Sequence, residues 1–320
     1  LVASRLDVVS ALAGRISPIA NWAITNQQCR WIMDKVLGIA QGRKLPRVTS
    51  RPFLRRAARR RLTRSSRSSE RKVAYFVDLY ANNHDPQLAE STVAVLKHNG
   101  VAVYVPTGQK QSAMAAISSG ALDIARRYAR RNVDVLADAI RQGYHVVTSE
   151  PTAAICLQKE YPKLLGEEDA RQVAANSSEI CSYLWNLHTI GKLQLDFKPV
   201  NASLGYHMPC HLKALEVGAP GKNLLKLIPG LTITPIEEGC SGMAGTFGLR
   251  SSNYRASLRM ARGLLHRIRD EDIQAGTTEC SACKIQMEQG TTKPTIHPIK
   301  LLAYAYGLMP QVRELLTGGG

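Results

Sequence analysis

The sequence predicts an α/β chain: two duplicated βαβ-type units with parallel sheets and helices on both faces, preceded by a helical connector. Three observations predict it. From residue 73 onward, short β-branched runs alternate with stretches of helical periodicity, the order expected of parallel βαβ units. The same order then recurs. A frame of loop residues also returns about 130 positions later. Gln111, Ser112, Ala113 and Met114 answer to Cys240, Ser241, Gly242 and Met243, residues 148–153 answer to 278–283, and Tyr75 answers to Tyr206. Four thiols stand in the second frame and none in the first, so a duplicated site has kept its ligands in one copy only.

Each element has its own signal. Leu6, Val9, Leu12, Ala13, Ile16, Ile19, Ala20 and Ala23 follow helical spacing, with Pro18 expected to kink or divide the helix. A second helix is predicted over 27–37, stopped by Gly38. Residues 1–50 thus form the connector. Residues 51–72 form a basic, serine-rich linker in which Phe53 and Leu54 are the residues able to dock. The first repeat, 73–195, carries strands at 73–77, 101–105 and 144–147. Its helices lie at 86–98 and 121–142, and a connecting helix follows at 173–189. The second repeat, 196–310, carries strands at 204–207 and 231–236, helices at 221–227, 252–269 and 297–306, and a turn at 277–283. Residues 311–320 form a glycine-ending tail.

Composition narrows the class. A chain of 320 residues that is 44% hydrophobic holds about two domains and a proper core. No apolar run approaches the ~20 residues that span a bilayer, and no signal peptide opens the chain. The first residue is Leu1, which reads as a piece of a longer protein. The net charge of +17 is concentrated: residues 51–72 hold nine arginines and Lys72 against Glu70 alone. That segment reads as a solvated linker, as a docking site for anionic lipid or a partner, or as a phosphate contact; without an aromatic pattern beside it, nucleic acid is not expected. Seven cysteines without regular pairing point to a reducing, cytoplasmic setting and to metal or redox use.

The chemistry sits in Cys210, Cys240 and the pair Cys280 and Cys283, with Ser241 and Gly242 beside Cys240. Each thiol follows a predicted strand or opens a turn, and ligands of open α/β sheets bind at the carboxyl ends of the strands. A Cys-x-x-Cys pair at a helix start lets two thiolates reach one centre near free N–H groups. Gly239, Gly242 and Gly245 let backbone approach a bulky group. Spacing alone leaves three readings: an iron–sulfur cluster on four cysteines, a zinc site on the same four thiolates, or packed thiols. A cluster places the sulfurs on the order of 4–7 Å apart. His207 and His211 flank Cys210 and either tune the site or bond the loop. The other histidines show no ligand pattern, and Cys29, Cys156 and Cys181 read as packed thiols. Residues 216–223 fail as a phosphate loop because Glu216 and Asn223 hold its key positions, so no nucleotide or flavin site is expected here.

The segments Tyr206-His207-Met208-Pro209-Cys210-His211-Leu212, Gly239-Cys240-Ser241-Gly242-Met243, Cys280-Ser281-Ala282-Cys283 and the closing 295–302 together resemble the cysteine-rich (CCG) domain family of iron–sulfur oxidoreductases. The resemblance runs from about Val73 to Met309. The chain resembles the C-terminal part of FAD-linked oxidase/iron–sulfur fusions and the cysteine-rich member of the anaerobic glycerol-3-phosphate dehydrogenases, more than it resembles the heterodisulfide reductases. The resemblance implies an electron-transfer segment of a flavin-linked dehydrogenase of glycerol-3-phosphate, lactate or glycolate type. It further implies a 4Fe–4S cluster on Cys210, Cys240, Cys280 and Cys283, and FAD on a preceding part or partner. Ferredoxin-like clusters would lie upstream and a quinone or membrane-associated acceptor downstream, at the inner face of the membrane. The rival is a structural or docking module with zinc or an empty site. The family's Cys-Cys-Gly has become Cys240-Ser241-Gly242, which leaves Ser241 as a hydrogen-bond donor or a weak oxygen ligand. The first repeat lacks the thiols altogether, with Asp78, Gln111, Ser112 and Glu150 in their neighbourhood.

Overall fold

A computed structural model describes residues 6–65 and 70–316. Arg67 of the basic segment and the tail residues 317–320 lie outside the described residues, as do residues 1–5. The chain builds two four-stranded sheets, each entirely parallel. The first contains β1 (Lys72–Phe76), β2 (Ala102–Tyr104), β3 (His145–Thr148) and β4 (Ser177–Glu179) in the order β2-β1-β3-β4. The second contains β5 (Ala202–His207), β6 (Leu231–Ile236), β7 (Ala275–Thr277) and β8 (Thr295–Ile296) in the order β6-β5-β7-β8. The two orders are the same, as duplicated units require.

Burial on both faces explains why the inner strands β1 and β3 are mostly apolar. Along β1, Val73, Tyr75 and Val77 enter a core shared by both sheets, while Ala74 and Phe76 enter a second core under the helix Leu122–Arg141. Helices Pro86–His98, Ile180–Thr189, Pro220–Leu225 and Pro298–Ala305 supply the shared core between the sheets. The far face of the second sheet is closed by Leu264, Ile268 and Met287. The predicted architecture, with helices around two parallel sheets, is therefore the observed one.

The connector forms as its spacing predicts. Pro18 sits in the first turn of Ser17–Ala23, where a missing N–H costs nothing, and divides that helix from Leu6–Arg15. The helix Gln27–Leu37 is capped by the Asn26 side chain and stopped by Gly38 in the left-handed region.

Three expectations need correcting, and strands β4 and β8 were not foreseen. Residues 51–72 are not merely a linker: Phe53–Arg59 is a helix whose Phe53 and Ala57 are fully buried, and Phe53 meets Tyr75 edge-on at 6.1 Å. The connecting helix over 173–189 is instead the end of Glu168–Ala175, then strand β4, then Ile180–Thr189. Strand β4 reads Ser-Ser-Glu, and β8 is two residues long; neither carries the apolar alternation that marks a strand, and both form only because β3 and β7 offer a free edge. The helix over 252–269 is broken at Ala261 into Tyr254–Met260 and Arg262–Arg267.

Polar contacts lock one repeat to the other. Lys300 pairs with Asp85 at 3.0 Å, His297 bonds the Ser149 carbonyl at 3.0 Å, and the Thr152 hydroxyl meets His211 at 2.8 Å. No helix among the described residues is long and apolar enough to cross a membrane.

Candidate metal centre

The carboxyl edge of the second sheet delivers all four thiols of interest. Cys210 opens the helix Cys210–Ala214 just beyond β5. Cys240 rides the loop after β6, where Gly239, Gly242 and Gly245 take φ values of 72°, 72° and 63°. Cys280 is the N-cap of the helix Ser281–Gln289, and Cys283 lies in its first turn. At Gly242 a side chain is excluded twice over, by the left-handed backbone and by the Ser257 carbonyl against which the loop packs.

The sulfurs form a chain of near neighbours. Cys210 and Cys240 stand 3.7 Å apart, just under the lower end of the expected span. The Ser241 hydroxyl donates to Cys283 Sγ at 3.2 Å, and the Gly242 N–H donates to Cys240 Sγ at 3.3 Å. Cys280 is pushed well above the usual thiol range by its hydrogen bond with Cys283 and by burial. Cys210 is raised by burial and by Cys240, with Cys280 adding to the effect. Thiols that oppose one another's ionisation are the arrangement that a bound cation reverses, because a metal deprotonates coordinating thiols outright.

The donor set fits an iron–sulfur group. It is all sulfur, the ligand chemistry of soft metals and clusters, and it comes with backbone N–H donors. More than half of the buried side-chain polar atoms without a partner among the described residues belong to His207, Thr277, Thr278, Glu279 and Gln286, on the strand ends and helix beside the thiols. Among the described residues, no three His, Cys, Asp or Glu side chains converge as holders of a single metal ion.

The first sheet shows what became of the other copy. Tyr75 pairs in register with Val147 as Tyr206 does with Thr277, which sets Glu150 on the position of Cys280. The same counting from β2 and β6 sets Lys110, not the expected Gln111, on Cys240. The place of the thiols is taken by hydrogen bonds. Asp78 accepts from the Ser112 N–H at 2.9 Å and its hydroxyl at 2.8 Å, and Tyr161 donates to the Ser112 carbonyl at 3.0 Å.

Several contacts at the site carry no local sequence signal. Glu150 reaches across to accept the Ser281 N–H at 3.2 Å, so the degenerate repeat caps the helix that bears Cys283. Burial, then Cys280 and Asp78, hold its carboxyl well above the usual range. Tyr206 donates to Glu279 at 2.9 Å beneath the thiols. Of the flanking histidines, His211 is tied to Thr152, while His207 is buried with neither ring nitrogen paired among the described residues and is pushed down to about 4 by burial. Cys156 and Cys181 are packed in the core as expected, and Cys29 is half-buried.

Near Glu279, the residue before Cys280, burial pushes Glu179 up to about 7 from 4.5. The fold keeps this carboxyl protonated while the unfolded chain ionises. Its contribution is therefore complete below about 4.5 and lost as pH rises through about 7. We expect denaturation midpoints to fall between about pH 5 and pH 8, with on the order of 3 kcal/mol at stake. Glu179→Gln, measured by urea unfolding across that range, should flatten the fall; an unchanged slope would assign it elsewhere.

Comparison with known proteins follows the same residues. The family model described as a cysteine-rich domain matches residues 204–288, the span that holds the four thiols. One of the subunits of anaerobic glycerol-3-phosphate dehydrogenase of Escherichia coli (strain K12) is 30% identical over 305 residues, 95% of this chain and 76% of that protein. One of the subunits of fumarate reductase (CoM/CoB) of Methanothermobacter marburgensis is 26% identical over 72% of this chain and 44% of its own length. Lactate utilization protein A of Exiguobacterium sp. is 24% identical over 76% of this chain and 98% of its own length. With the cysteine-rich match on its thiol-bearing sheet and a relative of that identity along nearly its whole length, this chain belongs to the cysteine-rich-domain family of iron–sulfur oxidoreductases.

Proposed function

We infer that this chain is the electron-transfer segment of a flavin-linked dehydrogenase, of the glycerol-3-phosphate, lactate or glycolate type. The observation that carries the reading is the convergence of Cys210, Cys240, Cys280 and Cys283 from three loops at one sheet edge. These four thiolates would hold a 4Fe–4S cluster, which supplies a one-electron relay when bound. The Gly242 N–H on Cys240 and the Ser241 hydroxyl on Cys283 stabilise thiolate charge. Substrate oxidation belongs to a flavin-bearing domain or partner protein that passes electrons in, through ferredoxin-like clusters, and a quinone or another acceptor at the cytoplasmic membrane face takes them out. The first repeat serves as scaffold and, through Glu150, as part of the site's frame.

Anaerobic purification tests this. The protein should be brown, with iron and acid-labile sulfide in near-equal amounts and a broad visible charge-transfer band. Colourless protein carrying stoichiometric zinc would overturn the redox reading in favour of a docking module.

A further inference from the structure

Arg43 is 1% exposed, yet no carboxylate pairs with it among the described residues. Its Nε donates to the Gly248 carbonyl at 2.9 Å, one terminal nitrogen to the Ser257 hydroxyl at 3.2 Å, and the other to Gln286 Oε1. The guanidinium lies 4.7 Å from the centre of the Tyr254 ring. One side chain of the connector thus ties the segment following Cys240 to the helix that carries Cys283. A buried cation held only by neutral acceptors is costly and calls for an anion nearby.

Gln286 sharpens the point. A guanidinium has donors only, so the carboxamide must present its oxygen to Arg43. Its Nε2 then faces away, and this buried donor has no partner among the described residues. Gln286 follows Cys283 by three residues on one helix, so the two share a face. Beside the thiols, then, stand a donor that lacks an acceptor and a cation that lacks an anion. An anionic group with sulfur acceptors answers both.

We propose that Arg43 and Gln286 complete the cluster site: Gln286 donates through Nε2 to a sulfur of the bound cluster or of Cys283, and Arg43 is the positioning residue that turns the carboxamide that way and offsets the cluster's negative charge. The proposal rests on the iron–sulfur reading above. Both contributions favour the reduced, more negative state, so losing either lowers the reduction potential.

The test uses the full chain, purified or reconstituted anaerobically with iron and sulfide, and reads iron and sulfide content together with the midpoint potential from an EPR-monitored titration. Q286M should keep its iron and titrate at a lower potential. Q286E should fall further, because its carboxylate pairs with Arg43 and cancels the charge. R43M should also fall, and R43K, which keeps the charge but not the fork, should fall less. Should R43M not fold, the two Gln286 variants still decide. Wild-type potentials in both Q286M and Q286E would overturn the proposal. Wild-type protein that binds no iron and sulfide would overturn the iron–sulfur reading itself, a distinguishable result.

Discussion

Cys240→Ala is expected to strip the chain of its iron, whereas the neighbouring Ser241→Ala is expected to keep it. The geometry separates the two residues although they are adjacent. Cys240 Sγ stands 3.7 Å from Cys210 and receives the Gly242 N–H, so it faces the other thiols as an acceptor. The Ser241 hydroxyl is turned towards Cys283 as a donor at 3.2 Å. An alcohol ionises far above the thiol value of ~8.5, so it is a poor ligand at neutral pH. Removing one of four thiolates should abolish visible absorbance and leave iron at background; Cys280→Ala and Cys283→Ala should match it. Ser241→Ala should instead retain the iron and lower the midpoint potential modestly, since one fewer hydrogen bond reaches sulfur. Iron loss as complete in Ser241→Ala as in Cys240→Ala would make the serine a ligand and end the four-cysteine assignment.

Phe53→Ala should be among the most destabilising single substitutions outside the site. Phe53 is wholly buried in the core shared by the two sheets and meets Tyr75 on the central strand of the first. Deleting a buried aromatic side chain costs about 3–5 kcal/mol, through lost transfer energy and the cavity left behind. Arg59→Ala, at the exposed end of the same helix, should change stability by no more than about 0.5 kcal/mol. Urea unfolding followed by circular dichroism separates the two. A small effect of Phe53→Ala would return the segment to the status of a linker.

The basic segment illustrates why composition misleads. Its arginines dominate the count of charges, but Phe53 and Ala57, one helical turn apart, and Leu62 in the turn that follows the helix decide where it packs. A reading weighted by charge sees a solvated tether; the core sees three apolar residues on one side. The strands β4 and β8 were illegible for a different reason: a three-residue Ser-Ser-Glu strand has no intrinsic tendency to extend and is created by the edge beside it.

What the sequence determined by itself is local or repetitive. The duplicated frame, the parallel βαβ order, the helix stops and the four thiols with their glycines follow from periodicity, spacing and residue chemistry, which act over a few neighbours. What only the tertiary structure decided is long-range. The placing of Glu150 on the Ser281 N–H joins residues 131 positions apart, and that of Arg43 on Gln286 joins residues 243 positions apart. No local pattern marks either contact, because a buried donor or carboxylate is defined by what the fold brings opposite it. The physical reason is that desolvation makes each such group depend on a partner, and only the packing of the connector and two repeats around one sheet edge chooses that partner.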